Sequence, residues 1–230
     1  MDNSFYSSAA DFPRVDPELV ERARQHQSAI LCDVAGRRGA LKSRVQALHP
    51  AMKLAGPAFT VEVRPGDNLM FHVALAVARP GDILVVDGKG DDTCALFGEL
   101  MVAQAAAAGL AGFVVDAASR DTETLASGTF PIFSAGHNPC GPTKGLPGTI
   151  GRPVSVAGVS VQPGDLVVGD IDGVVVVPRE QVEAILDGAD AKFAAEQQRL
   201  AEIARGELVS PWLESALRSA GLPSLEASEP

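Results

Sequence analysis

Apolar and polar positions change rhythm along the chain, and those changes divide it into elements. Residues 17–31, PELVERARQHQSAIL, carry apolar side chains at roughly helical spacing, with Pro17 placed for a first turn, so the pattern predicts a helix. Ala58–Val63 reads as a strand, ended by the turn Pro65-Gly66-Asp67-Asn68. LMFHVALAVA is helical and stops at Pro80-Gly81-Asp82, in front of a buried strand over Ile83–Asp87. A second helix, GELMVAQAAAAGL, follows; alanine is the strongest helix former, and Gly109 falls where a C-terminal cap would.

Beyond it, Gly112–Asp116 is an apolar run that predicts a buried strand, and FPIFSAG predicts another. The stretch VSVAGVSVQPGDLVVGDIDGVVVVP is dense in β-branched residues broken by Gly and Pro, the pattern of strands joined by tight turns. From Arg179 to Ala204 the pattern is helical and charged, and PWLESALRSAG predicts a short helix after it. Strand and helix alternate in the first half, while strands dominate the third quarter. This predicts an α/β domain with parallel and antiparallel pairing rather than a plain doubly wound sheet. The expected division is an N-terminal arm over 1–16, one α/β domain over 17–205 and a tail with a short helix over 206–230. Pro-Gly-Asp recurs at 65–67, 80–82 and 163–165 without a fixed period, which is turn chemistry rather than a repeat.

Composition narrows the function. A formal net charge of -10 argues against a nucleic-acid partner, because a phosphate backbone rewards Lys and Arg; an anionic small ligand stays possible at a locally basic site. Cys32, Cys94 and Cys140 form no CxxC pair and read as small buried or half-buried apolar residues. The start, MDNSFYSSAADFPR, lacks the basic and apolar regions of a secretory signal, and no apolar run reaches membrane-spanning length. A cytoplasmic protein with no membrane contact is the expectation. There is no GxxxxGK[ST] loop and no GxSxG elbow, and GKGDDT lacks the third glycine of a dinucleotide fingerprint.

Charge gathers where the strand Gly112–Asp116 ends, in GFVVDAASRDTE: Asp116, Arg120, Asp121 and Glu123. Arginine is a planar fork for a carboxylate or enolate oxygen, and aspartate offers hard oxygens that suit magnesium or manganese. The pair Arg120-Asp121 follows a strand's C-terminal end, where open α/β sheets bind ligands, although a surface salt bridge would use the same residues. Gly98-Glu99-Leu100-Met101 opens a helix; its free N–H groups favour an anion, while Glu99 would also simply complement the helix dipole. Asp67 and Asn68, with His72 four residues on, make a third cluster, with His72 left outside any metal shell. His26, His49 and His137 lack zinc-ligand spacing. Lys144, in GPTKG, would meet an anion or stay a solvated loop lysine.

Taken together, PGDNLMFHVAL, GDILVVDGKG, GELMVAQAAAAGLAGFVVDAASRD and PGDLVVGDIDGVVVVP resemble the RraA-like family over about residues 28–205. Within it the chain is most similar to the class II 4-hydroxy-4-methyl-2-oxoglutarate / 4-carboxy-4-hydroxy-2-oxoadipate aldolases. The resemblance implies a three-layer β/β/α fold with mixed sheets and a C-terminal helical extension, assembled as a homotrimer or hexamer with sites at subunit boundaries. It implies a divalent metal, Mg²⁺ or Mn²⁺, held by Asp121, with Arg120 neutralising a keto oxygen as it becomes an enolate. Glu99 would orient water at the metal, the backbone amides of Leu100 and Met101 would cradle the substrate carboxylate, and Lys144 would meet its distal part. Glu196 matches a glutamate that the family contributes from an adjacent subunit, with Glu202 competing for that role. The chain departs from the family where an acidic residue often stands three places after the motif aspartate; here that position is Thr124, with Glu123 one place earlier.

The activity so implied is cleavage of a 4-hydroxy-2-oxo acid to pyruvate and a second oxo acid, with oxaloacetate decarboxylation as a side activity and a role in aromatic degradation. The alternative is a non-catalytic regulator of the RraA type, which binds and inhibits an endoribonuclease. Those regulators are shorter, whereas this chain continues past Pro178 with VEAILDGADAKFAAEQQRLAEIARG.

Overall fold

The computed structural model describes residues 4–225. The chain divides into two units, Met1–Ala189 and Asp190–Pro230. Among the described residues, the first contains all ten strands. In chain order, the helices α1 (Ser4–Ala9), α2 (Pro17–Ala23) and α3 (Ser28–Val34) precede the strands β1 (Gln46–Ala47) and β2 (Leu54–Glu62). Then come α4 (Leu69–Val77), β3 (Ile83–Phe97), α5 (Glu99–Ala107), β4 (Gly112–Ser119), α6 (Thr122–Ser127) and β5 (Ile132–His137). The strands β6 (Thr149–Ile150), β7 (Val154–Val156), β8 (Val159–Val161), β9 (Leu166–Asp170) and β10 (Gly173–Val177) lead to the long helix α7 (Val182–Ala204) and the short α8 (Leu213–Ser219).

The sheet order is β1-β5-β4-β3-β2-β9-β10, with β6 also paired to β2 and the hairpin β7-β8 separate. Strands β2 to β5 pair in parallel, while β9 meets both β2 and β10 antiparallel, so the pairing is mixed as expected. The strand β2 serves both halves: Leu54–Pro57 pair with β9, and Ala58–Glu62 pair with β3.

Side-chain alternation then sets the layers, since successive residues of a strand face opposite sides. Leu84, Val86, Phe113 and Val115 point to one face and pack under α4 and α5 with Phe71, Phe97 and Met101. Their neighbours Ile83, Val85 and Val114 point to the other face and meet Val156, Val161, Val167 and Val174 of the second set of strands. The outer face of β9-β10, through Leu166, Val168, Val175 and Val177, is closed by α2, α3 and the first turns of α7. Phe113 lies at the centre of the first layer, with ring centroids 5.0 Å from Phe71, 5.5 Å from Phe97 and 5.0 Å from Phe130.

Three expectations need correction. The continuous helix over 17–31 is broken into α2 and α3, because Asp170 accepts from the Ser28 N–H at 2.7 Å and from its hydroxyl at 2.6 Å. A carboxylate from β9 thus starts a second helix where local spacing shows none. The strand from Ile83 runs on to Phe97, through irregular pairing beyond Val86 in which Lys89 and Gly90 take positive φ. Cys140, expected to be at least half buried, is exposed on the loop after β5, while Cys94 is buried. Gly109 does lie just past the end of α5 with φ +71, the left-handed conformation that favours glycine. Among the described residues no helix is long and apolar enough to cross a membrane.

Candidate active site

The site is built where two parallel strands end. β3 ends at Phe97, and Gly98 passes the chain into α5; the adjacent β4 ends at Ser119, and Arg120 and Asp121 pass it into α6. The Arg120 N–H donates to the Phe97 carbonyl at 3.1 Å, which locks the two exits together. Asp121 takes φ 56 and ψ 33, a left-handed conformation that costs a non-glycine residue on the order of 1 kcal/mol. That turn carries its carboxylate back over the neighbouring exit, where Oδ2 accepts from the Glu99 N–H at 3.0 Å. Gly98 makes the approach possible: a Cβ there would collide with Asp121 Oδ2 and lie 3.0 Å from Arg120 Cγ.

Arg120 and Asp121 do not neutralise each other tightly. Nε and Oδ2 are 3.8 Å apart, both side chains are nearly half exposed (45% and 43%), and the guanidinium makes no hydrogen bond among the described residues. Such an exposed, long pair contributes little to stability and leaves both groups available to a ligand. At the helix start the Met101 N–H is turned to the Gly98 carbonyl at 3.2 Å, whereas Leu100 N–H has no backbone partner among the described residues.

The opposite wall is the loop carrying Lys144, and its anchor is Asp67. Asp67 Oδ2 accepts from the Thr143 hydroxyl at 2.7 Å and from the Gly145 and Leu146 N–H groups at 2.7 and 3.1 Å; Oδ1 accepts from the Leu69 N–H at 2.9 Å. Burial pushes this carboxyl up, but the Gly145, Leu69, Thr143 and Leu146 donors outweigh it and hold its pKa down at about 2. The next residue, Asn68, joins the other walls: its Nδ2 donates to the Leu96 carbonyl at 2.7 Å and contacts Met101 Sδ at 3.4 Å. Asp67 and Asn68 therefore brace a cleft of about 220 Å³ lined by Glu99, Leu100, Met101, Arg120, Asp121 and Lys144. His72 lines it too, and burial, then the nearby Lys144 charge, lower its pKa and keep it neutral.

Nine of the residues singled out in the sequence thus line one cleft: Asn68, His72, Gly98, Glu99, Leu100, Met101, Arg120, Asp121 and Lys144. Glu196 and Glu202 belong instead to the Asp190–Pro230 unit, where Glu196 pairs with Lys192 at 3.2 Å and Glu202 with Arg199 at 2.9 Å. Asp116 is not part of the cleft's lining: Arg44 holds it through two 2.7 Å bonds and Ala157 donates at 2.8 Å, which ties β4 to the β7-β8 hairpin. Asp67 and Asn68 were legible as a cluster in PGDN, but the bracing role of Asp67 depends on a loop 76 to 79 residues away and that of Asn68 on residues 28 and 33 away. A larger cleft, about 650 Å³ beside Phe12 and Arg152, lies apart from this chemistry.

Among the described residues no three His, Cys, Asp or Glu side chains converge on a metal-sized point. A magnesium-type ion does not need that: it keeps several waters and takes one or two carboxylates plus substrate oxygens. Asp121, half exposed, oriented through Oδ2 and with Oδ1 open, fits such an ion; a dedicated protein cage for zinc does not fit.

The mixed α/β fold, with a cationic fork and a carboxylate at adjacent strand ends, is shared in sequence and architecture with known relatives. Residues 28–176 match the RraA-like family (Aldolase/RraA), and the chain belongs to that family. It is 43% identical over 159 residues to a protein of Halalkalibacterium halodurans provisionally named a 4-hydroxy-4-methyl-2-oxoglutarate aldolase, covering 69% of this chain and 76% of that one. The solved structure of Streptomyces coelicolor RraAS2, described as an unusual member of the RNase ES inhibitor RraA family, superposes with a TM-score of 0.73 at 32% identity, over 85% of this chain and 99% of that one. The RNA-processing inhibitor RraA of Thermus thermophilis gives 0.61 at 30% identity, over 66% and 92%.

Proposed function

We propose that this protein is a carbon–carbon lyase that cleaves a 4-hydroxy-2-oxo acid of the 4-hydroxy-4-methyl-2-oxoglutarate type to pyruvate and a second oxo acid. The observation that carries the reading is the convergence of Arg120, Asp121 and the open Leu100 N–H in one cleft, with Lys144 on the facing wall. The provisional aldolase name of the bacterial relative supports it.

Loss of the C4 hydroxyl proton drives a C4 carbonyl to form as the C3–C4 bond breaks, and the electron pair stays on C3. That carbanion survives as an enolate with charge on the 2-keto oxygen, which the Arg120 guanidinium neutralises by hydrogen bonding. The substrate's carboxylate is met by the N-terminal end of α5, and a distal carboxylate by Lys144. A divalent ion held by Asp121 would supply Lewis-acid polarisation of the keto and carboxylate oxygens. A water held by Asp121, or a carboxylate from a neighbouring subunit of a trimer or hexamer (Glu196 or Glu202), takes the hydroxyl proton. The group that took the hydroxyl proton returns it to C3, which gives pyruvate. Oxaloacetate decarboxylation passes through the same enolate and is the expected side activity.

The test is pyruvate release from 4-hydroxy-4-methyl-2-oxoglutarate, followed by reduction with lactate dehydrogenase, with magnesium or manganese and after EDTA. A second reading, a non-catalytic regulator that binds an endoribonuclease, rests on the solved neighbours described as RNase or RNA-processing inhibitors. Pyruvate release from oxaloacetate separates the two; none with any divalent ion favours the regulator.

A further inference from the structure

Two polar atoms at the cleft have no partner among the described residues: Asn68 Oδ1 and His72 Nε2, both buried. The residues stand four apart at the start of α4, and both line the cleft that contains Arg120 and Lys144. A buried acceptor or donor without a partner is destabilising, so such atoms are retained where something else satisfies them.

The orientation of the Asn68 amide is fixed by its neighbours. Its nitrogen is committed to the Leu96 carbonyl at 2.7 Å, an acceptor that Oδ1 could not serve, so Oδ1 is the end left over. Asn68 is 3% exposed, which removes bulk water as its regular partner. Oδ1 only accepts, and a carboxylate only accepts, so this position does not suit the acidic ends of a substrate. The N-terminal end of α5 and Lys144 serve those. What Oδ1 needs is an O–H or N–H from a ligand. His72, kept neutral by burial and by Lys144, has one donor and one acceptor nitrogen. With its proton on Nε2, it donates to the oxygen of the same hydroxyl whose hydrogen goes to Asn68.

We propose that Asn68 and His72 recognise the C4 hydroxyl of the substrate and so select hydroxy acids over plain oxo acids. This rests on the aldolase reading above and adds to it a pair of specificity-determining residues. The pair positions the hydroxyl of the bound substrate before the C3–C4 bond breaks; Asn68 Oδ1 is no base, so the hydrogen turns from it to the water or carboxylate that takes the proton. Oxaloacetate lacks that hydroxyl and reaches the same enolate without it.

The two substrates therefore make the test. For wild type, His72→Leu and Asn68→Ala, kcat/KM is measured for 4-hydroxy-4-methyl-2-oxoglutarate cleavage and for oxaloacetate decarboxylation, and the ratio is compared. A fall in that ratio of about tenfold or more is expected in both variants, because a site built to bond a hydroxyl loses its preference when that bond is removed. His72→Gln, which returns an amide near the Nε2 position, should restore most of it. A change under about threefold in both variants overturns the proposal and leaves the pair as packing, with water satisfying Oδ1; a larger fall supports it. Should Asn68→Ala fail to fold, the His72 variants decide alone. Wild type that releases pyruvate from neither substrate overturns the aldolase reading itself, which is a different result from an active enzyme whose ratio does not move.

Discussion

Glu99 and Asp121 are joined across 22 residues of sequence: the Glu99 N–H donates to Asp121 Oδ2 at 3.0 Å. One bond thus couples the start of α5 to the exit of β4 and orients the carboxylate that the proposed chemistry needs.

The glycine before that helix start is a direct test of the coupling. Gly98 has extended backbone (φ -156), so alanine costs no conformational strain there; its Cβ would strike Asp121 Oδ2. Gly98→Ala should lower pyruvate release by about 10- to 100-fold through displacement of Asp121 and Arg120, with little change in Tm. Activity assay beside thermal unfolding checks both halves of that statement.

Removing the oxyanion partner should be more severe than moving it. Arg120→Lys keeps the charge but loses the planar fork, and about 100-fold or more in kcat is expected to go, with a smaller effect on KM. EDTA should abolish activity and added magnesium or manganese restore it. Full activity of wild type in EDTA would refute the metal part of the reading.

Asp67 links the cleft to acid stability. Its folded pKa of about 2 is below the ordinary carboxylate value, so the charged form is favoured in the folded protein. The stabilisation, on the order of 2 kcal/mol, is present above about pH 4 and is lost as pH falls towards 2. Asp67→Asn should be less stable than wild type in urea at pH 7, and the gap should close in that acid window. The same variant frees the Lys144 loop, so KM for the hydroxy acid should rise more than kcat falls.

Phe113 is fully buried between three other rings. Phe113→Ala should destabilise the protein by about 3–5 kcal/mol, as large-to-small changes in aromatic cores do. Chemical denaturation measures it.

Much of the architecture was written locally. The apolar run Phe113-Val114-Val115, the Pro80-Gly81-Asp82 stop and the alanine-rich α5 with Gly109 beyond it depend on steric and hydration preferences of neighbouring residues, and these act within a few positions. The same holds for the exposure of Arg120 and Asp121 just past a strand's end. By itself, then, the sequence determined the order and kind of most elements and a place where charge gathers past a buried strand.

Tertiary structure decided what depends on distant partners. Asp170 splits the first predicted helix from 142 residues away, and Asp67 captures the loop that carries Lys144 across 76 to 79. It also sent Asp116 to Arg44 and gave Asp121 to the Glu99 N–H, two carboxylates from one short motif with opposite fates. Hydrogen bonds are short-ranged and directional, so which donor reaches which acceptor is settled only when the sheet brings separate strand ends side by side.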